Sequence, residues 1–365
     1  MSGRSKVVGV AAAAATVVAL LVGASVGAAA KTAVFKAAWI YVGPHNDGGW
    51  SQAHDQGRLY VQKMLGSKVE TTYKENIPEG PQVAQTIDSL VADGNKIIFG
   101  TSYGYQPYFV AAAKKYPDVK FEMATGTAQS KNLAEYYGAG EDAIFLSGMA
   151  AGAATKKGVV GYVAAFPIPE VIRHTNAFAL GVQAMHPGAT VKVVFTNSWF
   201  DPAKEKKAAQ SLVAAGVDVL GQNVDSPATG QYAKSVNMPW VGYDSDSSKF
   251  APKQWLTGAV YNWGIYYLKR VKAAMDGTWK TGFYYGGLKD GFTKLAKFGP
   301  LVSAKTKAAI AAKTKAIENG SFYEFAGPLY DQKGALKVKK GAKLNVKQLY
   351  AMSWFVKGVV GSATG

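Results

Sequence analysis

Apolar positions along the chain alternate between two periods from residue 37 onward. Short runs rich in β-branched and aromatic residues read as strands: AAWIYVG (37–43), KVETTYK (68–74), KIIFG (96–100), VKFEMA (119–124) and AEYYGA (134–139). Between them the spacing widens to that of helices, over 50–65, 82–94 (closed by Gly94), 105–117 and 141–156. The alternation then restarts. Strands are expected at 159–166, 191–197, 217–223 and 238–244, with helices at 169–187 and 204–216. Such alternation predicts parallel sheets built by right-handed crossovers. Two successive sets of about four units predict an α/β protein of two similar lobes, without a short-period repeat or a low-complexity linker. From about Gly282 the pattern is less regular, with a Lys/Ala helix over 304–318 and a short C-terminal helix around Leu349 to Val360.

Residues 1–30 follow a different logic. Arg4 and Lys6 precede the nearly uncharged run VVGVAAAAATVVALLVGASVGAAA, which ends in an A-x-A site at Ala28 and Ala30. That order predicts a cleaved signal peptide; the run is too Ala- and Gly-rich to favour a retained anchor. The chain has no cysteine, which excludes disulfides and a lipid-modified N-terminal cysteine. A soluble, unanchored periplasmic protein is the resulting expectation. The lobes are expected at 31–157 with about 257–280, and at 158–250 with about 281–365.

Composition narrows the function classes. Hydrophobic residues at 48% and charged residues at 18% fit a globular chain and exclude global disorder. The formal charge is +17; without Arg4 and Lys6, 39 basic residues face 24 acidic ones. The lysines are dispersed, with enrichment from Lys294 to Lys347, and no nucleic-acid motif accompanies them. A solvated basic surface, and not a nucleic-acid partner, is expected.

The loop GPHNDGGWSQAHDQGR (43–58) crowds His45, Asp47, His54 and Asp55 and raises the possibility of a metal. Only His174 and His186 supplement these histidines, there is no HExxH, and a helix starting near Trp50 turns His54 and Asp55 away from Asp47. GAGEDA (138–143) formally fits a dinucleotide loop, but Glu141 and Asp142 would oppose a pyrophosphate at the helix start. Neither a GxSxG nor a cysteine nucleophile is present. No metal, cofactor or catalytic group is therefore expected.

What remains is a recurrence of polar and aromatic loops after predicted strands, where open α/β sheets bind ligands. These are NDGGW (46–50), TSYGYQP (101–107), AFPIP (165–169), NSWFDP (197–202), QNVDSP (222–227) and GYDSDSS (242–248). Trp50, Tyr103, Tyr105, Phe166 and Trp199 would be costly to expose there unless they cover a flat ligand or pack on neighbouring loops. Asp225 offers a carboxylate from the same set of loops.

The segments NDGGWSQAHDQG, VGYVAAFPIPEVIRHTNAFALGVQAMHP, SWFDPAKEKKAA, GYDSDSS and MSWFVKGVVG together resemble the basic membrane protein family of substrate-binding proteins for ABC importers, which includes purine nucleoside receptors. The resemblance runs from about residue 35 to the end. It implies a type I periplasmic binding fold related to sugar-binding proteins: two lobes, each a parallel sheet flanked by helices, with the ligand at the hinge. It also implies a purine held between two aromatic rings, which fall on Trp50 and Trp199. The acidic partner of the first loop falls on Asp47, with Asn46 beside it, and that of the GxDxD stretch on Asp244. Gly48 and Gly49 would let backbone approach the ligand.

Two departures bear on the ligand. Ser51 stands where nucleoside receptors commonly carry Asn, and Tyr261 stands where they carry a sugar-contacting lysine, followed by Asn262 and Trp263. The resemblance then implies a free nucleobase as readily as a nucleoside, its edge read by Asp47, Asp244 and Asn262. The expected partners are a purine-type ligand and an inner-membrane ABC permease, with the receptor a monomer. A sugar or non-purine receptor on the same fold is the first alternative. A secreted nucleoside hydrolase is the second.

Overall fold

The computed structural model describes residues 3–6, 8–9 and 34–365; almost all of the apolar run read as a signal peptide over 1–30 lies outside the described residues. From residue 34 the elements run β1 (Phe35–Ile40), α1 (Trp50–Leu65), β2 (Val69–Lys74), α2 (Gln82–Ala92), β3 (Ile97–Gly100), α3 (Gln106–Lys115), β4 (Lys120–Ala124) and β5 (Leu133–Gly138). They continue with α4 (Gly140–Ala154), β6 (Val159–Ala164), α5 (Pro169–Met185), β7 (Thr190–Phe195), α6 (Pro202–Ala214), β8 (Val219–Asn223), α7 (Ala228–Ser235), β9 (Trp240–Asp244) and β10 (Trp255–Tyr261). The remainder is α8 (Trp263–Met275), β11 (Phe283–Gly286), β12 (Thr293–Leu295), α9 (Ala304–Glu318), β13 (Leu329–Tyr330), β14 (Leu336–Val338), α10 (Val346–Leu349) and β15 (Val359–Val360).

Two sheets organise these elements. The first has six strands in the order β11-β5-β4-β3-β1-β2, with every pairing parallel. The second has seven, β12-β10-β9-β8-β6-β7-β15, and only β12 runs antiparallel to its neighbour. Central strands such as β3 (IIFG) are buried along their whole length, as strands covered by helices on both faces must be. The chain crosses between the sheets three times: after β5, after β10 and between β11 and β12. A β13–β14 hairpin stands apart from both.

Sheet membership corrects the expected lobe limits. β10, which overlaps the 257–280 stretch assigned to the first lobe, belongs to the second sheet, and β11, assigned to the second lobe, belongs to the first. Helix α4 also packs with the second half, against α5 and β10. The α4–α5 contact is close because Gly148 and Gly181 face the partner helix's backbone, where a Cβ would collide.

The C-terminal helix expected over 349–360 is likewise corrected. Helix α10 ends at Leu349, and β15 pairs with β7. Met352, Phe355, Val356 and Val359 are buried at spacings that imitate a helical stripe. Their backbone is instead held from outside: the Asn176 amide donates to the Trp354 carbonyl at 2.8 Å and accepts from the Val356 N–H at 2.9 Å. Among the described residues no helix is long and apolar enough to cross a membrane.

Candidate ligand cleft

The loop after β1 is organised by Asp47. Its carboxylate accepts the backbone N–H groups of Gly49 and Ser51 at 2.8 Å and of Gln52 at 3.0 Å, which satisfies donors that the start of α1 leaves open. Burial pushes its carboxyl up to about 6 against the pull of those three donors. The other members of the crowded loop separate. His45 meets Glu75 at 2.7 Å, His54 meets the Tyr267 hydroxyl at 2.5 Å, and Asp55 meets Arg58 at 2.6 Å. Among the described residues no group of three or more His, Cys, Asp or Glu converges as a metal site.

Directly beyond this loop a narrow cleft lies between the sheets' C-terminal ends. Its first-sheet wall carries Trp50, Thr101 and Thr125, and its second-sheet wall Trp199, Asn223 and Asp225. The Trp50 indole N–H donates to the Thr101 carbonyl at 2.6 Å, and His54 and Trp263 pack edge-on against the ring at 4.4 and 5.3 Å between centroids. Trp199 rests edge-on against Phe166 at 5.0 Å, and its indole N–H is buried without a partner. Asp225 Oδ2, Asn223 Oδ1 and Thr125 Oγ1 are buried and unpartnered too. Each such atom left dry costs about 1–3 kcal/mol, so the cleft is built for a polar-edged occupant. Burial, with Asp47 and Asp244 nearby, raises the Asp225 carboxyl well above the ordinary range.

The family described as ABC transporter substrate-binding protein, PnrA-like (Bmp), matches residues 34–323. A purine-binding protein of Brucella abortus (strain 2308) is 41% identical over 334 residues, 91% of this chain and 95% of that protein. This chain belongs to the Bmp family. A Haloferax volcanii protein provisionally named as an ABC transporter glucose-binding protein is 36% identical, over 81% of this chain and 75% of that one. Among solved structures, a solute-binding protein of an Aeropyrum pernix K1 ABC transporter aligns with a TM-score of 0.69 at 16% identity, over 79% of this chain and 92% of that one. At that identity the likeness speaks for the fold, the two-lobed one of periplasmic solute-binding proteins.

In this Bmp-family chain the residues singled out from sequence divide into three groups. Trp50, Tyr103, Trp199 and Asp225 line the cleft, and Phe166 stands behind Trp199. Asp244 and Asn262 line a neighbouring cavity of about 410 Å³ bounded by α1, the end of β10 and β12. Both Asp244 carboxylate oxygens are buried and unpartnered, while the Asn262 amide donates to the Gly291 carbonyl at 3.3 Å. Asn46 is exposed, the Ser51 hydroxyl accepts from the Gly43 N–H at 3.3 Å, and Asp47 is engaged by the start of α1.

Gly48 and Gly49 approach the opposite lobe. A Cβ on Gly49 would collide with the Asp225 backbone, and one on Gly48 would lie 3.1 Å from Pro227. Ser245 Oγ donates to the Gly49 carbonyl at 2.8 Å, and Ser247 Oγ donates to the Gly48 carbonyl. Sequence reasoning missed Glu170 and Thr125 in the cleft, and pointed to Asn223 and Tyr243 only through the loops QNVDSP and GYDSDSS. Glu170 opens α5 and accepts from the Tyr137 hydroxyl at 2.8 Å; burial raises its carboxyl while Arg173 opposes the shift. Its position just after AFPIP, at a helix start following a strand, was the available signal.

Proposed function

We propose that this protein is the ligand-capturing receptor of an ABC importer and that its cleft holds a purine-type heterocycle, a nucleobase or nucleoside. Export through a cleaved signal peptide would place it in a periplasm, as a monomer that delivers the ligand to the permease. The observation that carries this reading is the pair of indoles, Trp50 and Trp199, set on opposite lobes beside unpartnered polar atoms. Stacking on aromatic rings contributes on the order of 1–3 kcal/mol per base and tolerates any base. Identity is then read at the edge, where Asp225 Oδ2 and Asn223 Oδ1 accept N–H groups and the Trp199 N–H donates to a ring nitrogen or carbonyl. The relative named as purine-binding supports the ligand class. Closure brings the Ser245–Ser247 stretch onto Gly48 and Gly49 and excludes water from the site.

The Haloferax relative's name favours a sugar as the second reading, since carboxylates also accept sugar hydroxyls. Calorimetry of the exported protein against adenine, guanine, hypoxanthine, their nucleosides, glucose and galactose separates the two. Purine binding with no response to sugars is expected; a response to sugars alone would overturn the purine assignment. Release of free base from a nucleoside during the same incubation would overturn the receptor assignment in favour of a hydrolase.

A further inference from the structure

Positive charge is concentrated at one end of the sequence, and seven of its lysines lie on α9 or line the grooves beside it. Residues 294–365 contain 13 lysines against three acidic residues, Glu318, Glu324 and Asp331, a formal +10. Glu324 is buried, and burial raises its carboxyl well above the ordinary range, which lessens its counter-charge. All ion pairs among the described residues lie between Lys36 and Arg270, so none of these lysines is paired. Helix α9 sits between two grooves. One, of about 1100 Å³, has Leu288, Phe298 and Ile310 in its walls and Lys294, Lys297 and Lys315 among its polar residues. The other, of about 750 Å³, is bordered by Phe322, Lys313 and Lys343. Lys343 bridges back to Ala326, beside the hairpin end that carries exposed Lys339 and Lys340.

Large apolar side chains stand exposed in the same stretch of sequence: Leu301, Tyr330, Leu336 and Val346. A surface meant only for solvation gains nothing from them. A surface that meets the boundary between headgroups and acyl chains uses both kinds of residue. The cations are all lysine, flexible point charges without the planar fork that selects individual carboxylates on a protein partner. Diffuse attraction to many phosphates needs no such fork, and each lysine near an anionic surface adds to it.

We propose that the α9 face docks on a bilayer surface carrying anionic phospholipid. The proposal rests on the reading of the protein as a receptor serving a membrane permease, and it gives that receptor a way to dwell near its partner. The docked state depends on salt, since its attraction acts over a Debye length.

The test is co-sedimentation of the exported protein with vesicles of phosphatidylcholine alone and of phosphatidylcholine with phosphatidylglycerol. Retention is expected only on the phosphatidylglycerol vesicles, falling at least about tenfold on raising salt to roughly 0.5 M. The variant K315Q/K339Q/K340Q/K343Q should lose at least about tenfold in retention at low salt. A control with the same charge change elsewhere, K63Q/K68Q/K114Q/K131Q, should keep most of it. Equal loss in both variants would reduce the effect to net charge and overturn the proposal, as would equal retention on neutral vesicles. No retention on vesicles, with lysine-dependent binding to the purified permease, would assign the face to a protein partner and also overturn it. None of these readouts uses the transported ligand, so an error in the purine assignment leaves the outcome intact.

Discussion

At the scale of single residues the two indoles differ in what they have left to give. Trp50 has spent its N–H on Thr101 and is wedged by His54 and Trp263, so it offers only a fixed face. Trp199 retains a free N–H as well as its ring. Trp50→Ala and Trp199→Ala should each weaken purine binding by about 1–3 kcal/mol, roughly 5- to 150-fold in Kd by calorimetry. Trp199→Phe, which keeps a ring and loses the donor, should fall between wild type and Trp199→Ala. Asp225 adds a pH signature. Burial raises its carboxyl, so below that raised value it carries a proton, and a ligand N–H on Oδ2 favours the ionised form. Binding should therefore expel a proton, and affinity should climb with pH until it levels above the raised value. Calorimetry in buffers of different ionisation heat measures that proton; Asp225→Asn should abolish its release. Both indoles were legible in the sequence because large rings in polar loops demand a reason. Thr125 was not, since a lone polar residue at a strand end looks like any turn or cap.

Elements set how the jaws meet. The stretch after β9 reaches across to the loop before α1 through two serine hydroxyls on consecutive carbonyls, Ser245 to Gly49 and Ser247 to Gly48. These bonds join protein to protein, so they stabilise closure with or without ligand. Ser245→Ala/Ser247→Ala should open the empty protein, raising its radius of gyration in solution scattering, and should speed ligand release about tenfold or more. An unchanged scattering profile and off-rate would show that the latch is incidental. Gly49→Ala should do more damage, because its methyl meets the Asp225 backbone and keeps the jaws apart. The sequence pattern located the strands through β9 and the helices through α6 well, since period and turn residues agree there, but it missed the short α7 between β8 and β9. It failed where one pattern has two solutions. Buried Met352, Phe355, Val356 and Val359 mimic a helix, and partners far away in sequence, Asn176 and β7 among them, hold their backbone out of one.

At the scale of the whole molecule, alternation predicted two α/β lobes but could not say which lobe each returning segment joins, because that depends on contacts distant in sequence. Glu122 makes one such contact. It is fully buried on β4, in the first sheet, and takes Arg270 at 2.5 Å, the Tyr266 hydroxyl at 2.7 Å and the Trp279 indole N–H at 2.6 Å. All three partners belong to α8 and the chain just after it, the segment that returns after the second crossing. One carboxylate thus fastens that return to the first sheet. Removing it leaves the largely buried Arg270 uncompensated, so Glu122→Leu should cost about 3–5 kcal/mol in urea unfolding. Replacing the pair together, as Glu122→Leu/Arg270→Met, should recover much of that loss, because the stranded charge goes with its partner. If the double variant is as unstable as the single one, the role lies in the Tyr266 and Trp279 bonds and not in the ion pair. The same fastening reaches the cleft, since α8 begins with Trp263, whose ring buttresses Trp50 at 5.3 Å. Glu122→Leu should therefore also weaken ligand binding at temperatures where the fold is intact, and the double variant should restore it in proportion to stability.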